Sequence, residues 1–123
     1  MQFREQQAIY LQIVDYACEQ VLLGKWMLSQ RIPSVRELAI TLEVNPNTIM
    51  RAYEILQVEG ICSNKRGVGF FTDADAMEKV KNYKRKQFIE NELPVLFKSM
   101  YLLDISFNEI QERYQTYTST LIA

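Results

Sequence analysis

The sequence predicts a mainly α-helical protein with one small β-hairpin, and three observations support this fold class. Apolar residues recur in steps of three and four over several segments, which is the spacing of amphipathic helices. Two of these segments open with Ser34 and Asn45, residue types that are typical of helix starts. A short basic stretch after them carries two closely spaced glycines, which indicates a tight turn between two strands.

The first predicted helix spans residues 8–23. Its apolar positions, among them Ile9, Ile13 and Val21, are spaced so that one stripe of the helix can be buried. Gly24 follows at the position where glycine commonly ends a helix, because glycine adopts left-handed backbone conformations without steric cost. The segment is therefore interpreted as an amphipathic helix with one core-facing side.

Two short helices follow, each with its own start signal. Ser34 and Glu37 form a capping box, in which the serine oxygen accepts from an early amide and the glutamate reaches back. Asn45 can cap the next helix, Pro46 gives up an amide that would be unpaired anyway, and Gly60 ends the helix. A link of only about two or three residues forces the helices to cross steeply, which predicts a helix-turn-helix.

A hairpin is expected directly after this pair of helices. Residues 61–63 are interpreted as a strand, 64–67 as a turn and 68–72 as the returning strand. Gly67 and Gly69 supply the backbone freedom that such a turn needs. A hairpin in this place is the wing of a winged helix, so residues 1–72 are predicted to form a winged helix-turn-helix domain.

The remaining residues, 73–123, are predicted to form a region of two to three helices. An apolar helical pattern runs towards Leu103, and Pro94 should kink or break it because proline lacks the amide proton and clashes with the preceding turn. Ser106 and Glu109 form a further capping box that opens a last helix.

This C-terminal region holds half of the aromatic residues of the chain. Two short helices cannot hide so much apolar surface alone, and packing on a second copy is the economical solution. We therefore expect a homodimer. A weaker alternative is that this aromatic interface leaves a pocket for an apolar effector. The residues predicted for the dimer interface are Phe88, Leu96, Phe97, Met100, Leu103, Phe107, Ile110, Tyr114 and Tyr117.

Composition excludes several classes of function. The chain has no histidine and only two cysteines, so the usual zinc ligand sets are lacking and histidine-based nucleophilic catalysis is excluded. We expect no catalytic residue, no metal and no cofactor, and hence no enzyme. Cys18 and Cys62 are interpreted as small buried hydrophobes, which fits a cytoplasmic protein. No run approaches the ~20 apolar residues of a membrane span, so no membrane partner is expected.

The distribution of charge is more informative than its sum. The formal net charge is −1, which by itself does not favour a nucleic-acid partner. Residues 25–72 hold six basic and four acidic residues and are the only part with a net positive charge. Because this excess is small, DNA affinity would have to come from a few well-placed cations presented by two copies.

The second helix of a helix-turn-helix lies in the major groove, where its N-terminal residues reach base edges. Amide side chains can pair with adenine and arginine with guanine. Asn47, Thr48 and Arg51 are expected to face outward to double-stranded DNA, because their apolar neighbours are needed in the core. Asn45 is a candidate for the same surface, with helix capping as its alternative role.

The preceding helix and the wing supply candidate phosphate contacts. An exposed helix N-terminus with a hydroxyl and an arginine suits a phosphate group, although Ser34 can also serve only as a cap. Basic residues at a wing tip can enter the minor groove or meet phosphates. The candidates outside the recognition helix are Ser34, Arg36, Lys65, Arg66, Gly67 and Gly69.

A cluster of basic residues follows the wing. Such a run on a helix is usually a solvated face, and extra phosphate contact is the alternative. The cluster comprises Lys79, Lys81, Lys84, Arg85 and Lys86.

Several of these motifs together resemble the GntR family of bacterial transcription regulators. The matching stretches are residues 33–39 (PSVRELA), 44–48 (VNPNT), 52–53 (AY) and 66–69 (RGVG). The NPNT sequence and the short C-terminal region are similar to the YtrA subfamily in particular. The resemblance covers about residues 8–72 and rests on motifs that are specific when taken jointly.

The resemblance implies a transcriptional regulator, most simply a repressor, that binds an operator of two related half-sites as a dimer. In the subfamily the two C-terminal helices serve mainly dimerisation, without a large ligand-binding domain. The chain departs from the family pattern at residues 70–72 and at Met50, which leaves the operator sequence open. A winged helix used only for protein–protein binding is the competing class, and the polar outward set on the recognition helix speaks against it.

Overall fold

The structure, a computed structural model, describes residues 7–122 and is mostly helical with one antiparallel two-stranded sheet in that range. This confirms the predicted fold class. The elements are α1 (Ile9–Leu22), α2 (Val35–Leu42), α3 (Pro46–Val58), β1 (Cys62–Lys65), β2 (Gly69–Thr72), α4 (Ala76–Gln87), a π-helical turn (Phe88–Glu92), α5 (Leu93–Leu102) and α6 (Phe107–Ile122).

The chain forms two compact units, Met1–Lys84 and Arg85–Ala123. The first extends beyond residue 72, where the sequence interpretation placed the end of its domain. The reason is that α4 buries Ala76, Val80 and Tyr83 in the same core as α1, α2 and α3. An ion pair between the Lys84 ammonium and the Asp15 carboxylate, 2.6 Å apart, also joins α4 to α1.

The core of the first unit is built from the apolar stripes that the helical spacing predicted. Ile13 of α1, Leu38 of α2 and Ile49 of α3 are almost completely buried. Tyr53 is also buried, and its hydroxyl donates a hydrogen bond of 2.6 Å to the carbonyl oxygen of Pro33. That bond lets a polar tip sit in the core, because its donor is satisfied. It also holds the segment before α2 against α3.

The start signals of α2 and α3 work as the sequence indicates. The amide of Glu37 donates to the hydroxyl oxygen of Ser34 at 3.1 Å, and the Ser34 amide donates to the Glu37 carboxylate at 3.2 Å. The side-chain oxygen of Asn45 accepts from the amide of Asn47 at 2.8 Å. Glu43 ends α2 in a left-handed conformation with a φ of 57°. These local bonds explain why two short helices can follow one another with so short a link.

The hairpin differs in detail from its predicted bounds. Strand β1 runs on to Lys65, which pairs with Gly69, so the turn comprises residues 66–68 and not 64–67. The amide of Val68 donates to the carbonyl oxygen of Lys65 at 2.9 Å. Gly67 has a φ of +79°, a conformation that favours glycine. It is the middle residue of the observed turn, whereas it was the last residue of the predicted one.

The second unit keeps most of its apolar side chains exposed. The helical pattern is interrupted near Pro94, as expected for a proline. A π-helical turn precedes α5, and Pro94 lies in the first turn of α5. Ser106 caps α6, since its hydroxyl oxygen accepts from the Glu109 amide at 3.1 Å. No residue of α5 or α6 that the structure describes is fully buried.

Alkaline pH is expected to destabilise the first unit through its two buried thiols. Burial raises the pKa of Cys18 and of Cys62 from 9.0 to about 12. Between these pH values the unfolded chain loses a thiol proton that the folded chain keeps. The stability that the protonated thiols contribute is therefore fully present below pH ~9 and is lost as the pH rises above it. Each thiol should lower the free energy of unfolding by about 1.4 kcal/mol per pH unit in that range. Urea titrations across that pH range would measure the slope, and a Cys18→Ala, Cys62→Ala variant that kept the full slope would contradict the assignment.

Candidate nucleic-acid interface

The N-terminal half of α3 presents a polar face. Asn47 and Arg51 are exposed and Thr48 is half-buried, whereas Ile49 is fully buried. Three of the predicted contact residues therefore lie on the outer side of one helix. Asn45 is exposed as well, but its side-chain oxygen is occupied by the cap of α3.

Arg51 has a neighbour that the sequence interpretation did not include. Its guanidinium carbon lies 3.8 Å from the centre of the Tyr10 ring on α1. Stacking of a guanidinium on an aromatic face is favourable and leaves the edge donors of the group available. Tyr10 therefore restricts the rotamers of an exposed arginine. A single helical pattern holds no signal for a contact between α1 and α3.

The N-terminus of α2 carries the next two predicted residues. Ser34 is half-buried and is held in the capping box, and Arg36 is exposed in the first turn. The hydrogen bonds from the Ser34 backbone and side chain hold the pKa of Glu37 below its ordinary value. Glu37 is thus ionised near neutral pH, so an anion approaching this helix end meets Arg36 and a nearby negative charge.

The wing presents a second basic group. Lys65, Arg66 and Gly67 are all exposed at or beside the turn. The Lys65 ammonium lies 4.2 Å from the centre of the Phe71 ring, which holds it against the sheet. Gly69 is half-buried and has a φ of +135°, a backbone conformation that favours glycine.

Part of the basic cluster on α4 is engaged in contacts with the rest of the first unit. Lys84 is ion-paired with Asp15, and the stem of Lys79 lies beside Gly60, 3.6 Å from where a β-carbon there would be. Lys81, Arg85 and Lys86 are exposed. Two of the five cations therefore take part in packing within the first unit, which favours the interpretation of a mainly structural and solvated face.

The residues predicted for a dimer interface lie on the second unit and are accessible. Phe107, Tyr114 and Tyr117 on α6 are each about two-thirds exposed, at 71%, 66% and 64%. A shallow depression lies on α6 and is lined by Glu109, Glu112, Arg113, Thr116, Tyr117 and Thr120. Because one helix forms it and most of its lining is polar, it is not the aromatic pocket considered from the sequence, which would need a second copy.

Within residues 7–122, no three cysteine, aspartate or glutamate side chains come together in a way that could hold a metal ion. Over the same range, no helix is both long and apolar enough to cross a membrane.

Comparison with known proteins places this arrangement in a family. Residues 9–72 match the family described as "Bacterial regulatory proteins, gntR family". The uncharacterized HTH-type transcriptional regulator YhcF of Bacillus subtilis is 33% identical over 119 residues, 95% of each chain. The HTH-type transcriptional repressor YtrA of the same organism is 40% identical over 73 residues, 59% of this chain and 56% of its own.

Solved structures are similar over nearly the whole chain. A GntR-family structure from Bacteroides thetaiotaomicron has a TM-score of 0.79 at 41% identity and covers 93% of this chain and 99% of its own. A GntR family transcriptional regulator from Listeria monocytogenes has a TM-score of 0.75 at 34% identity, with 93% and 98% covered. Both matches include the C-terminal helices.

Proposed function

The chain belongs to the gntR family of bacterial regulatory proteins, and we propose that it represses transcription as a homodimer bound to two related half-sites. As a member of this family it is a DNA-binding transcriptional regulator and not an enzyme. The repressor role is supported by the similarity to YtrA, which is named a transcriptional repressor. A cytoplasmic location belongs to the same proposal, since the target is DNA.

The observation that carries the proposal is the outer face of α3. Asn47, Thr48 and Arg51 line one side of its N-terminal half, while the opposite side is locked into the core. Amide, hydroxyl and guanidinium groups are the side chains that read base edges in the major groove. A winged helix that binds only proteins would be expected to present an apolar face there, so this polar set favours DNA.

The exposed apolar side chains of the second unit support the dimer. Phe97 is 55% exposed and Leu103 is 68% exposed. The aromatic residues of α6 are exposed to a similar degree. Apolar surface of this extent is normally covered by a partner. A two-fold symmetric dimer would present the recognition helix twice, which suits an operator with two-fold symmetry.

Selection of bound duplexes from a random library tests the proposal directly. We expect enrichment of an inverted repeat whose half-sites lie about one helical turn, or a multiple of it, apart. Placed between a promoter and a reporter gene, that duplex should lower expression when the protein is present. Enrichment of no motif would contradict the operator, a lone half-site would contradict the dimer, and a rise in expression would contradict repression.

Tyr10 is expected to strengthen operator binding without touching a base. Replacing it by leucine removes the ring under Arg51, so the guanidinium must be ordered when DNA binds. An exposed stack of this kind contributes about 0.5–1 kcal/mol, or roughly two- to fivefold in affinity for each copy. Tyr10→Phe keeps a ring and is the matched control. Equal operator affinity for the leucine and phenylalanine variants in an equilibrium binding assay would show that the stack has no role.

A further inference from the structure

Arg31 lies beside the wing because the segment before α2 extends the hairpin. Arg31 forms an antiparallel bridge with Phe71 on β2, and the amide of Ile32 donates to the carbonyl oxygen of Phe70 at 2.9 Å. Phe71 in turn pairs with Ser63 on β1. Residues that lie opposite one another in antiparallel pairs point to the same face. The side chains of Arg31, Phe71 and Ser63 therefore form one row on one face of the wing.

This face is the outer one. Phe70, the neighbour of Phe71, points to the opposite face, where its ring centre lies 4.8 Å from that of the buried Tyr53. Side chains alternate along a strand, so Phe71 points away from the core. The next pair on the outer face is Lys65 with Gly69. Two cations, Arg31 and Lys65, are therefore carried by the outer face.

Contacts with their neighbours hold both cations in place. The Lys65 ammonium lies over the Phe71 ring, and the Arg31 guanidinium lies across Gly69. A β-carbon on Gly69 would lie 3.1 Å from the Arg31 Nε atom, tighter than nine in ten such contacts, so the arginine would have to shift. The absence of a side chain at Gly69 therefore makes room for the arginine.

The guanidinium also reaches the start of α2. Its Nη2 atom lies 3.9 Å from a carboxylate oxygen of Glu37, and the Arg31 side chain is 57% exposed. An exposed ion pair at this distance contributes little and leaves most donors of the arginine to solvent. Arg31 thus lies between the α2 N-terminus, which carries Arg36, and the wing, which carries Lys65.

We propose that Arg31 binds a DNA phosphate and joins the N-terminus of α2 and the wing into one cationic surface. This rests on the proposed DNA-binding surface and adds a residue to it. Arginine suits the task because its planar donors match phosphate oxygens. A phosphate contact carries no sequence information, so Arg31 should raise affinity for operator and for other duplexes alike.

The test compares Arg31→Gln, Arg31→Lys and the parent on two duplexes, the one selected from a random library and one of mixed sequence. Loss of one phosphate contact lowers the slope of log affinity against log salt by about 0.9, which corresponds to roughly fivefold in affinity at 0.15 M salt. For two copies on the operator we expect a slope lower by about 1.8 and roughly thirtyfold weaker binding. Arg31→Lys should keep the slope.

Two matched variants separate this role from its alternatives. Arg113→Gln removes the same charge from α6 in the second unit and should leave the slope unchanged. Glu37→Gln removes the ion pair but keeps a residue that can complete a capping box, so binding should stay equal or become tighter. Weaker binding by Arg31→Gln and Glu37→Gln to the same extent would overturn the proposal, because Arg31 would then act only by holding α2. An unchanged slope for Arg31→Gln would overturn it as well.

A failure of the proposed operator can be distinguished from a failure of the Arg31 proposal. It would appear as a parent protein that selects no motif from the library, whereas the salt dependence of Arg31 can still be measured on the mixed-sequence duplex. Loss of salt slope there would support the phosphate contact without an operator.

Discussion

Replacing Arg51 or Arg36 by alanine is expected to abolish tight operator binding while leaving the dimer folded. Arg51 stands on the outer face of α3 and Arg36 in the first turn of α2, and both are exposed. A bidentate arginine–guanine pair discriminates by about 1–3 kcal/mol, so its loss in two copies should cost about 2–6 kcal/mol of binding free energy. Equilibrium binding to the selected duplex measures this loss, and circular dichroism with sedimentation checks the fold and the dimer.

The two variants should fail in different ways. Arg51→Ala removes a base contact, so a new selection should show relaxed preference at one position in each half-site. Arg36→Ala removes a phosphate contact, so it should weaken all duplexes about equally and lower the salt slope. Arg113→Ala in the second unit is the control for loss of an arginine. Should both variants bind the duplex like the parent, the recognition surface has been placed on the wrong residues.

Placing glutamate at Phe107 and Tyr114 together is expected to produce a monomer with very weak operator binding. These side chains lie seven residues apart on α6 and are 71% and 66% exposed, so the change should not disturb the fold of a single copy. Four negative charges would then meet across a two-fold interface without water, which is strongly unfavourable. Each half-site would bind alone, and the loss of avidity should weaken operator binding by about 10²-fold or more.

Tyr101→Glu is the matched control for this variant. Tyr101 is 84% exposed on α5 and is not among the residues predicted for the interface. We expect it to remain a dimer in sedimentation at micromolar concentration and to bind the operator like the parent. A Phe107→Glu, Tyr114→Glu protein that stayed dimeric would show that α6 does not form the interface. One that became monomeric yet bound the full operator tightly would show that DNA recognition does not need the dimer.

Much of the first unit could be predicted because its signals are local. The capping box at Ser34, the Asn45 cap and the apolar stripes of its helices each depend on residues within a few positions of one another. The predicted starts of α1, α2 and α3 therefore lie within one residue of the observed ones, and the predicted ends of α1 and α3 within two. The turn of the wing was placed less well, because two glycines only two residues apart, Gly67 and Gly69, permit more than one register.

The candidate site was predicted only in part, for the same reason. The outward positions of α3 follow from which of its residues are apolar, and the basic residues of the wing from its turn. The contact of Arg51 with Tyr10 joins α3 to α1, and the approach of Arg31 to Gly69 joins a connecting segment to β2. Neither has a periodic signal, since the partners are far apart in sequence.

The helical character, the helix starts, the wing and the polar outer face of α3 were determined by the sequence alone, because hydrogen bonds and side-chain spacing within a few residues are enough to specify them. Tertiary structure decided how far the first unit extends, that Lys84 forms an ion pair with Asp15, and which cations lie close together. These depend on packing between segments many residues apart, where the burial of Ala76, Val80 and Tyr83 determines that α4 belongs to the first core. The proposed role of Arg31 depends on the same packing, because a strand bridge, a glycine and a neighbouring helix meet around its side chain.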